Sequence, residues 1–349
     1  MNLPVRAMAA DNGEPDNSGT SRKDHRMIAE QANVASGESW RLSGGNAVPP
    51  ALVKELRRRT DRDGLLQFAG HVAAQVATGA LIGLASGSWL LVVPAVLLHG
   101  FVMALWFGPM HECTHGTAFR TRWLNQVVGW VSGFLIWRPP LYFKYRHADH
   151  HTYTQHPELD PDIVRMPATL REYVALAFGL SFWGKLFTIL GRSAIGRFDA
   201  VEQSFITESE RARVRDETRV FLAIYAAIVA AALATGTFDL LLLYWIVPRI
   251  AGEPFLRLIR MAEHTGAAES PDLLENTRTV RAHPLLNFLF WNMPYHAEHH
   301  LLPSLPFHAL PRLHRAVAPR LAHVSTGYLA VHRTLLRQLL DRRAAAARA

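Results

Sequence analysis

Three histidine clusters carry the chemistry this sequence can do: His111-Glu-Cys-Thr-His115, His147-Ala-Asp-His150-His151 and His296-Ala-Glu-His299-His300. Neutral imidazole ligates iron, zinc, copper and nickel. On a helix the positions i, i+3 and i+4 share one face, so each cluster is expected to aim its rings at a common point. Read alone, His111-Glu112-x-x-His115 is a zinc-hydrolase pattern, with two ligands and Glu112 as general base. That reading leaves both HxxHH clusters idle, because a catalytic zinc keeps three protein ligands and a water. Eight histidines match two metal ions with four or more imidazoles each. Cys113, the single cysteine, sits two residues from His111 and points off the shared face, so it reads as a small packing residue.

The elements that would position these clusters are apolar. Residues 65–85 are almost uncharged and long enough to cross about 30 Å of hydrocarbon as a helix. Ser86-Gly-Ser88 breaks the run, and 89–108 forms a second span. A second pair follows at 220–235 and 238–259 around Gly236. The stretches 123–137 and 173–190 are shorter or carry Lys185, and read as interfacial or re-entrant helices. The expected fold is an all-α membrane protein of two transmembrane hairpins, four spans in all. A cytoplasmic helical cap would carry the three histidine boxes. The spans are expected to hold no acidic residue deep inside.

Charge sets the expected orientation. The chain has 37 basic and 29 acidic residues, a formal charge of +8. The turns at 86–88 and 235–238 hold no Lys or Arg, whereas Arg57 to Arg62, Arg138, Lys144, Arg146 and Arg211 to Arg219 crowd the other ends. Cytoplasmic loops are enriched in Lys and Arg, so both termini and all three boxes are expected on the cytoplasmic side. The basic residues border apolar stretches, where they face lipid headgroups, and give no reason to expect nucleic acid. Nearly all of them are arginine, as in GC-rich bacterial genomes, so a bacterial inner membrane is the expected location. Residues 1–48 are polar, low in aromatics and expected to be disordered. The membrane domain is expected over 49–332, and 333–349 reads as a basic amphipathic tail lying on the membrane or on the domain.

The boxes, their order and the paired spans resemble the membrane fatty-acid desaturase family of histidine-box desaturases and hydroxylases. The resemblance is most specific in Asn276-Thr-Arg-Thr-Val280, in Trp291-Asn-Met-Pro-Tyr-His-Ala-Glu-His-His-Leu-Leu-Pro303 and in His147 to Pro161, ending Pro157-Glu-Leu-Asp-Pro161. It implies a non-haem di-iron centre that uses O2 to remove hydrogen from an unactivated C–H bond of an acyl chain, in a fatty acid or acyl lipid. Two electrons would come from a separate ferredoxin or cytochrome with its reductase. The family also implies a ninth ligand shortly before the last box, and His264 in Met261-Ala-Glu-His264-Thr occupies that place. The implied ligand set is therefore His111, His115, His147, His150, His151, His264, His296, His299 and His300, with two iron ions as cofactor. Alternatives within the family are hydroxylation, or desaturation of a small amphiphilic or amino-acid-derived molecule; a membrane zinc protease is remoter.

The remaining polar residues have blander readings. His71 and His99 lie inside apolar spans and lack box spacing, so they are expected as neutral, hydrogen-bonded imidazoles. Asp149, Glu158, Asp160 and Asp162 are candidates to accept the second N–H of a ligand ring. His156 is a loop residue or a partner of box two. His308 and His314 are expected on a peripheral helix.

Overall fold

The computed structural model describes residues 40–346. Of the tail expected at 1–48, residues 1–39 lie outside the described residues. Residues 40–48 pack on the domain: Ser43 N donates to Pro271 O at 3.0 Å and Val48 is buried.

The first hairpin pairs Asp61–Leu84 with Trp89–Ala104. Thr60 caps its start, its hydroxyl accepting from Asp63 N at 3.1 Å, and Asp61 and Asp63 place negative charge on the first turn, which the helix dipole favours. After Ala104 the chain bends and resumes as Phe107–Thr114, the helix of the first box. Box two follows on Pro140–Tyr153, entered through proline at the first helical position, where no backbone N–H is needed. The long helix Glu208–Ala234 then turns at Gly236 into a run from Phe238 to His264.

Among the described residues, three helices are long and apolar enough to cross a membrane: Asp61–Leu84, Trp89–Thr114 and Glu208–Ala234. A pair bent by 49°, Leu170–Ala177 and Leu180–Ala194, makes a fourth candidate if counted as one span. The span expected at 238–259 is not among them. Its run is interrupted by π-helix at Leu242–Ile246 and holds the buried charges Arg249 and Glu253. The expectation that no acid lies deep in a span fails at Glu253, which is fully buried. It survives there because Arg249 Nη1 lies 2.7 Å, Arg257 Nε 2.5 Å and Arg138 Nη2 3.3 Å from its carboxylate, and a paired charge avoids most of the burial penalty an isolated one incurs.

Leu66, Val76, Leu84, Trp89, Leu90 and Leu91 of the first hairpin stand exposed on its outer surface, as do Val220 and Leu233 of the later long helix. An apolar face of this extent marks contact with lipid. The two histidines inside the first hairpin are hydrogen-bonded as expected, although His71 Nδ1 is buried without a partner among the described residues. His71 Nε2 donates to Val102 O at 3.3 Å, and His99 contacts Gln75, Thr78 and Tyr244 O. The Tyr244 carbonyl belongs to the π-helical turn, where the altered hydrogen-bond register leaves backbone groups open to such a partner.

Above the membrane-facing helices, short elements close the site. A two-stranded parallel ribbon pairs β1, Thr279–Arg281, with β2, Val324–Thr326. Box three lies on His296–Leu301. The chain ends in Tyr328–Ala346, whose Val331, Leu335 and Leu339 pack against Met261, Ala262 and Val280. The tail therefore lies on the domain through Leu335 and Leu339, and residues 347–349 are outside the described residues.

Trp89–Ala104 and Val247–His264 cross at Gly100 and Gly252, where a Cβ on Gly252 would collide with the backbone of Gly100. Small residues that let two backbones touch are a principal means of helix association in lipid. Gly252→Val is expected to destabilise the protein at the upper end of the about 1–3 kcal/mol range of overpacked sites. Thermal midpoints in detergent, beside Gly87→Ala where a Cβ meets nothing, check this; equal midpoints would refute the crossing.

Candidate metal centre

All nine expected histidines come together, in two adjoining groups. His111, His115, His147, His151 and His299 form one, and His150, His264, His296 and His300 the other. Within each group the candidate ligand atoms lie within 4.8 Å of one another. The groups meet where His151 stacks on His300, ring centroids 4.2 Å apart.

Helix geometry explains the division and corrects the expectation that each box serves one point. In box two, His147 and His151, separated by four residues, join the first group, while His150 joins the second. In box three His296 and His300 join the second group, while His299 crosses to the first. Successive residues on a helix diverge by about 100°, so the adjacent pair in HxxHH cannot converge. Each HxxHH motif thus reaches both groups, two rings to one and one to the other.

The Nε2 atoms face inward. His147 Nε2 lies 2.7 Å from His111 Nε2 and 3.0 Å from those of His115 and His151; His299 Nε2 lies 3.0 Å from His111 Nε2. In the second group His296 Nε2 is 3.1 Å from His264 Nε2 and 3.2 Å from His300 Nε2. Nitrogens bound about 2.1 Å from one first-row ion stand about 3 Å apart, so these separations are those of coordination edges. The converging Nε2 atoms cannot all satisfy one another by hydrogen bonds, because each is either a bare acceptor or a single N–H donor and the five of the first group cannot pair off. The donor set fits two imidazole-ligated ions.

Burial keeps the rings in the ligand form. It lowers His115 to about 4 and His264 to about 3, and holds His147, His151, His296, His299 and His300 well below the usual histidine range. His150 is the exception: burial lowers it, but the carboxylate of Asp160 outweighs burial and holds it above its ordinary value.

The second group is the better supported behind its ligands. His150 Nδ1 donates to Asp160 Oδ1 at 2.8 Å, His264 Nδ1 to Asn276 O at 3.2 Å, and His300 Nδ1 to Thr154 Oγ1 at 3.1 Å. Such partners fix the ring and its tautomer, leaving Nε2 free to ligate. In the first group the Nδ1 atoms of His111, His147, His151 and His299 are buried with no partner among the described residues. Of the four acids expected behind the rings, Asp160 takes that part. Asp162 instead faces Arg146, at 2.7 Å, and Arg260, at 3.8 Å.

Sequence reasoning missed the acids that anchor the boxes. Glu112, read as a hydrolase base, is fully buried and accepts from Thr117 Oγ1 at 2.6 Å and Phe307 N at 3.0 Å. Glu298 of box three accepts from Thr279 Oγ1 on β1 at 2.6 Å and from His314 Nδ1 at 2.5 Å. His314 is therefore more than a peripheral helix residue. Glu263, beside His264, places Oε2 3.6 Å from His296 Nε2. The available signal was one acid inside or beside each cluster. His156 accepts from the backbone N–H groups of Glu158 and Leu159 and packs on Trp40, so it is a loop residue.

Backbone strain gathers beside the boxes. Gln155 (φ 62°), Trp291 (φ 52°) and Asn292 (φ 56°) are left-handed although none is glycine. Gln155 N donates to Asp160 Oδ2 at 2.8 Å and its side-chain amide to His264 O at 3.1 Å. Asn292 N donates to Asn287 O at 2.7 Å, and its amide to Phe307 O at 3.2 Å. Strained conformations costing about 1–3 kcal/mol each persist where the surroundings over-determine them.

Fold and site together define a helical protein with a histidine-rich candidate metal centre at the end of membrane-capable helices. Residues 87–332 match the sequence profile of the fatty acid desaturase family, and the chain belongs to that family. It is similar to dihydrorhizobitoxine desaturase of Bradyrhizobium elkanii, 27% identical over 293 residues, 77% of this chain and 81% of that protein. It is also similar to a fatty acid desaturase of Bacillus subtilis, 26% identical over 241 residues (64% and 67% of the two chains), and to the sn-1 oleoyl-lipid 12-desaturase of Anabaena variabilis, 22% identical over 258 residues (70% and 61%).

Asp160→Asn keeps the shape but removes the carboxylate behind His150. Loss of such a partner costs about 10–100-fold in metal affinity, so this variant is expected to retain less metal than wild type after graded chelation. Metal per chain by plasma mass spectrometry checks it, and unchanged retention would refute the role.

Proposed function

We propose that the protein desaturates an acyl chain, in a fatty acid or acyl lipid, with O2 as co-substrate and two iron ions held by the nine histidines. The observation that carries this reading is the pair of buried imidazole groups, five and four rings, with Nε2 atoms at coordination spacing. The bound irons would supply O2 activation and removal of hydrogen from an unactivated C–H bond. The rings' own task is to face inward with Nε2 free: burial opposes protonation of the rings other than His150, and the Asp160, Asn276 and Thr154 contacts fix ring orientation. The arrangement uses every histidine that a zinc hydrolase would leave idle, and it occupies Glu112 in anchoring.

In this reading residues 49–332 are the catalytic domain, embedded by two hairpins with 238–259 completing the second. The boxes and both termini face the cytoplasm of a bacterial inner membrane. That orientation follows from the arginines at the box-bearing ends and their absence from the turns. A separate ferredoxin, or a cytochrome with its reductase, delivers the electrons from the same side. A second reading, desaturation of a small amphiphile, is favoured by the Bradyrhizobium relative, which is named for dihydrorhizobitoxine and matches over 81% of its length.

Purified wild type is expected to hold about two irons per chain and to consume O2 with a ferredoxin system and an acyl substrate. His299→Ala should lose metal from the first group and all measurable activity. One zinc per chain, unchanged in the variant, would overturn the desaturase reading.

A further inference from the structure

A cavity of about 580 Å³ lies beside the histidines, between the box-two helix, the loop at 161–167, the bent pair Leu170–Ala177 and Leu180–Ala194, and Val247–His264. Its volume falls within the range of small-molecule sites. Its apolar lining includes Leu176, Leu186 and Ile189; its basic wall carries Arg138, Arg146, Arg257 and Arg260, with Phe182 packed on it, Arg138 and Arg257 standing 4.6 and 4.4 Å from the ring centroid.

The arginines outnumber their acids. Arg138 and Arg257 share Glu253 with the buried Arg249. Arg146 and Arg260 share Asp162, and Arg260 also faces Glu263 at 3.6 Å. Five guanidiniums thus meet three carboxylates. Donors are left over as well: Arg138 Nε, Arg146 Nε and Arg257 Nη2 are buried without a hydrogen-bond partner among the described residues. Arg260, 13% exposed, faces its carboxylates at 3.6 and 3.8 Å, beyond hydrogen-bond reach. Uncompensated buried charge is strongly unfavourable, and an oxyanion accepting from several guanidinium N–H groups relieves it.

The cavity also adjoins the candidate metal centre. Phe143 lines it and stacks on His147, ring centroids 4.9 Å apart at 16°. Glu263 Oε2 stands 3.6 Å from Arg260 Nε and 3.6 Å from His296 Nε2, so one carboxylate separates the basic wall from the ligand rings. The bent pair, which lines the cavity, also exposes Leu170, Val174, Phe178, Leu180 and Phe187, a surface suited to lipid.

We infer that this cavity seats the substrate's head group, and that the substrate is a single-chain anion, a carboxylate or phosphate monoester on an apolar tail, held by Arg257 and Arg260. The inference deepens the desaturase reading and rests on it for the word substrate; the anion site itself stands on the arginines alone.

The test uses the full chain in neutral detergent with three fluorescent probes of one conjugated polyene tail: the free carboxylic acid, the phosphate monoester and the alcohol. An acid or phosphate binding at least tenfold more tightly than the alcohol supports the site, and the preference between the two identifies the head group. Arg260→Gln should abolish the discrimination and Arg260→Lys retain most of it. Should Arg260→Gln fail to fold, the wild-type comparison decides alone. Equal affinity for acid, phosphate and alcohol overturns the inference, even in protein that carries two irons and consumes O2. Head-group discrimination in protein found to hold no iron upholds the anion site and refutes the desaturase reading instead.

Discussion

The structure turns on bringing nine neutral imidazoles so close that their ring nitrogens stand about 3 Å apart, inside a protein interior that resists charging them. Each inward Nε2 is a donor or an acceptor but not both, so the cluster cannot close on itself, and protonation of every ring but His150 is opposed by burial and by its neighbours. Such an array holds its shape only if the helices are fixed from outside. The helices are accordingly tied from behind. Glu112 binds the first box to Phe307, Glu298 binds the third to β1 and His314, and Asp160 joins the second to the strained residue Gln155. Histidines choose the metal chemistry; the acids beside them set its geometry.

That division of labour explains where the strain lies. A helix rigid enough to point three rings in two directions must begin and end abruptly, since its flanking residues have partners of their own. Trp291 and Asn292 turn left-handed immediately before box three, and Gln155 immediately after box two. At each place a backbone N–H or side-chain amide is spent on a residue across the site. The ordering cost falls on folding, so little of it remains to be met when metal binds.

Much of this was legible in the sequence. The two HxxHH clusters and the HxxxH named eight of the nine converging rings, and a family resemblance supplied His264. The first hairpin and the long helix before Gly236 followed from uninterrupted apolar runs. What stayed hidden depends on distance in space. Helical spacing shows that rings share a face, but not that the i+3 ring serves a different point from its neighbours. Asp160, ten residues beyond His150, is one of four candidate acids in the sequence, and only the folding back of the chain singles it out. The run 238–259 reads as a plain apolar span because periodicity does not show that Arg249, Glu253 and Arg257 pair along the helix and are completed by Arg138 and the Ile136 carbonyl from another turn.

Glu253 links the two halves of the molecule. A lone carboxylate on that helix would be neutralised or expelled, so Arg138, Arg249 and Arg257 must be close for the helix to fold where it does. Arg138 comes from the turn before box two, and Arg249 donates Nε to Ile136 O at 2.9 Å. The same carboxylate therefore pins the entry to the box-two helix against the helix that ends in His264. Because three cations gather on one anion, the cluster keeps excess positive charge, and it does so on the wall of the cavity beside the rings. The interaction that registers the box-two helix against the helix ending in His264 also makes the neighbouring space attractive to an anion, so positioning the candidate metal centre and selecting what reaches it rest on the same arginines.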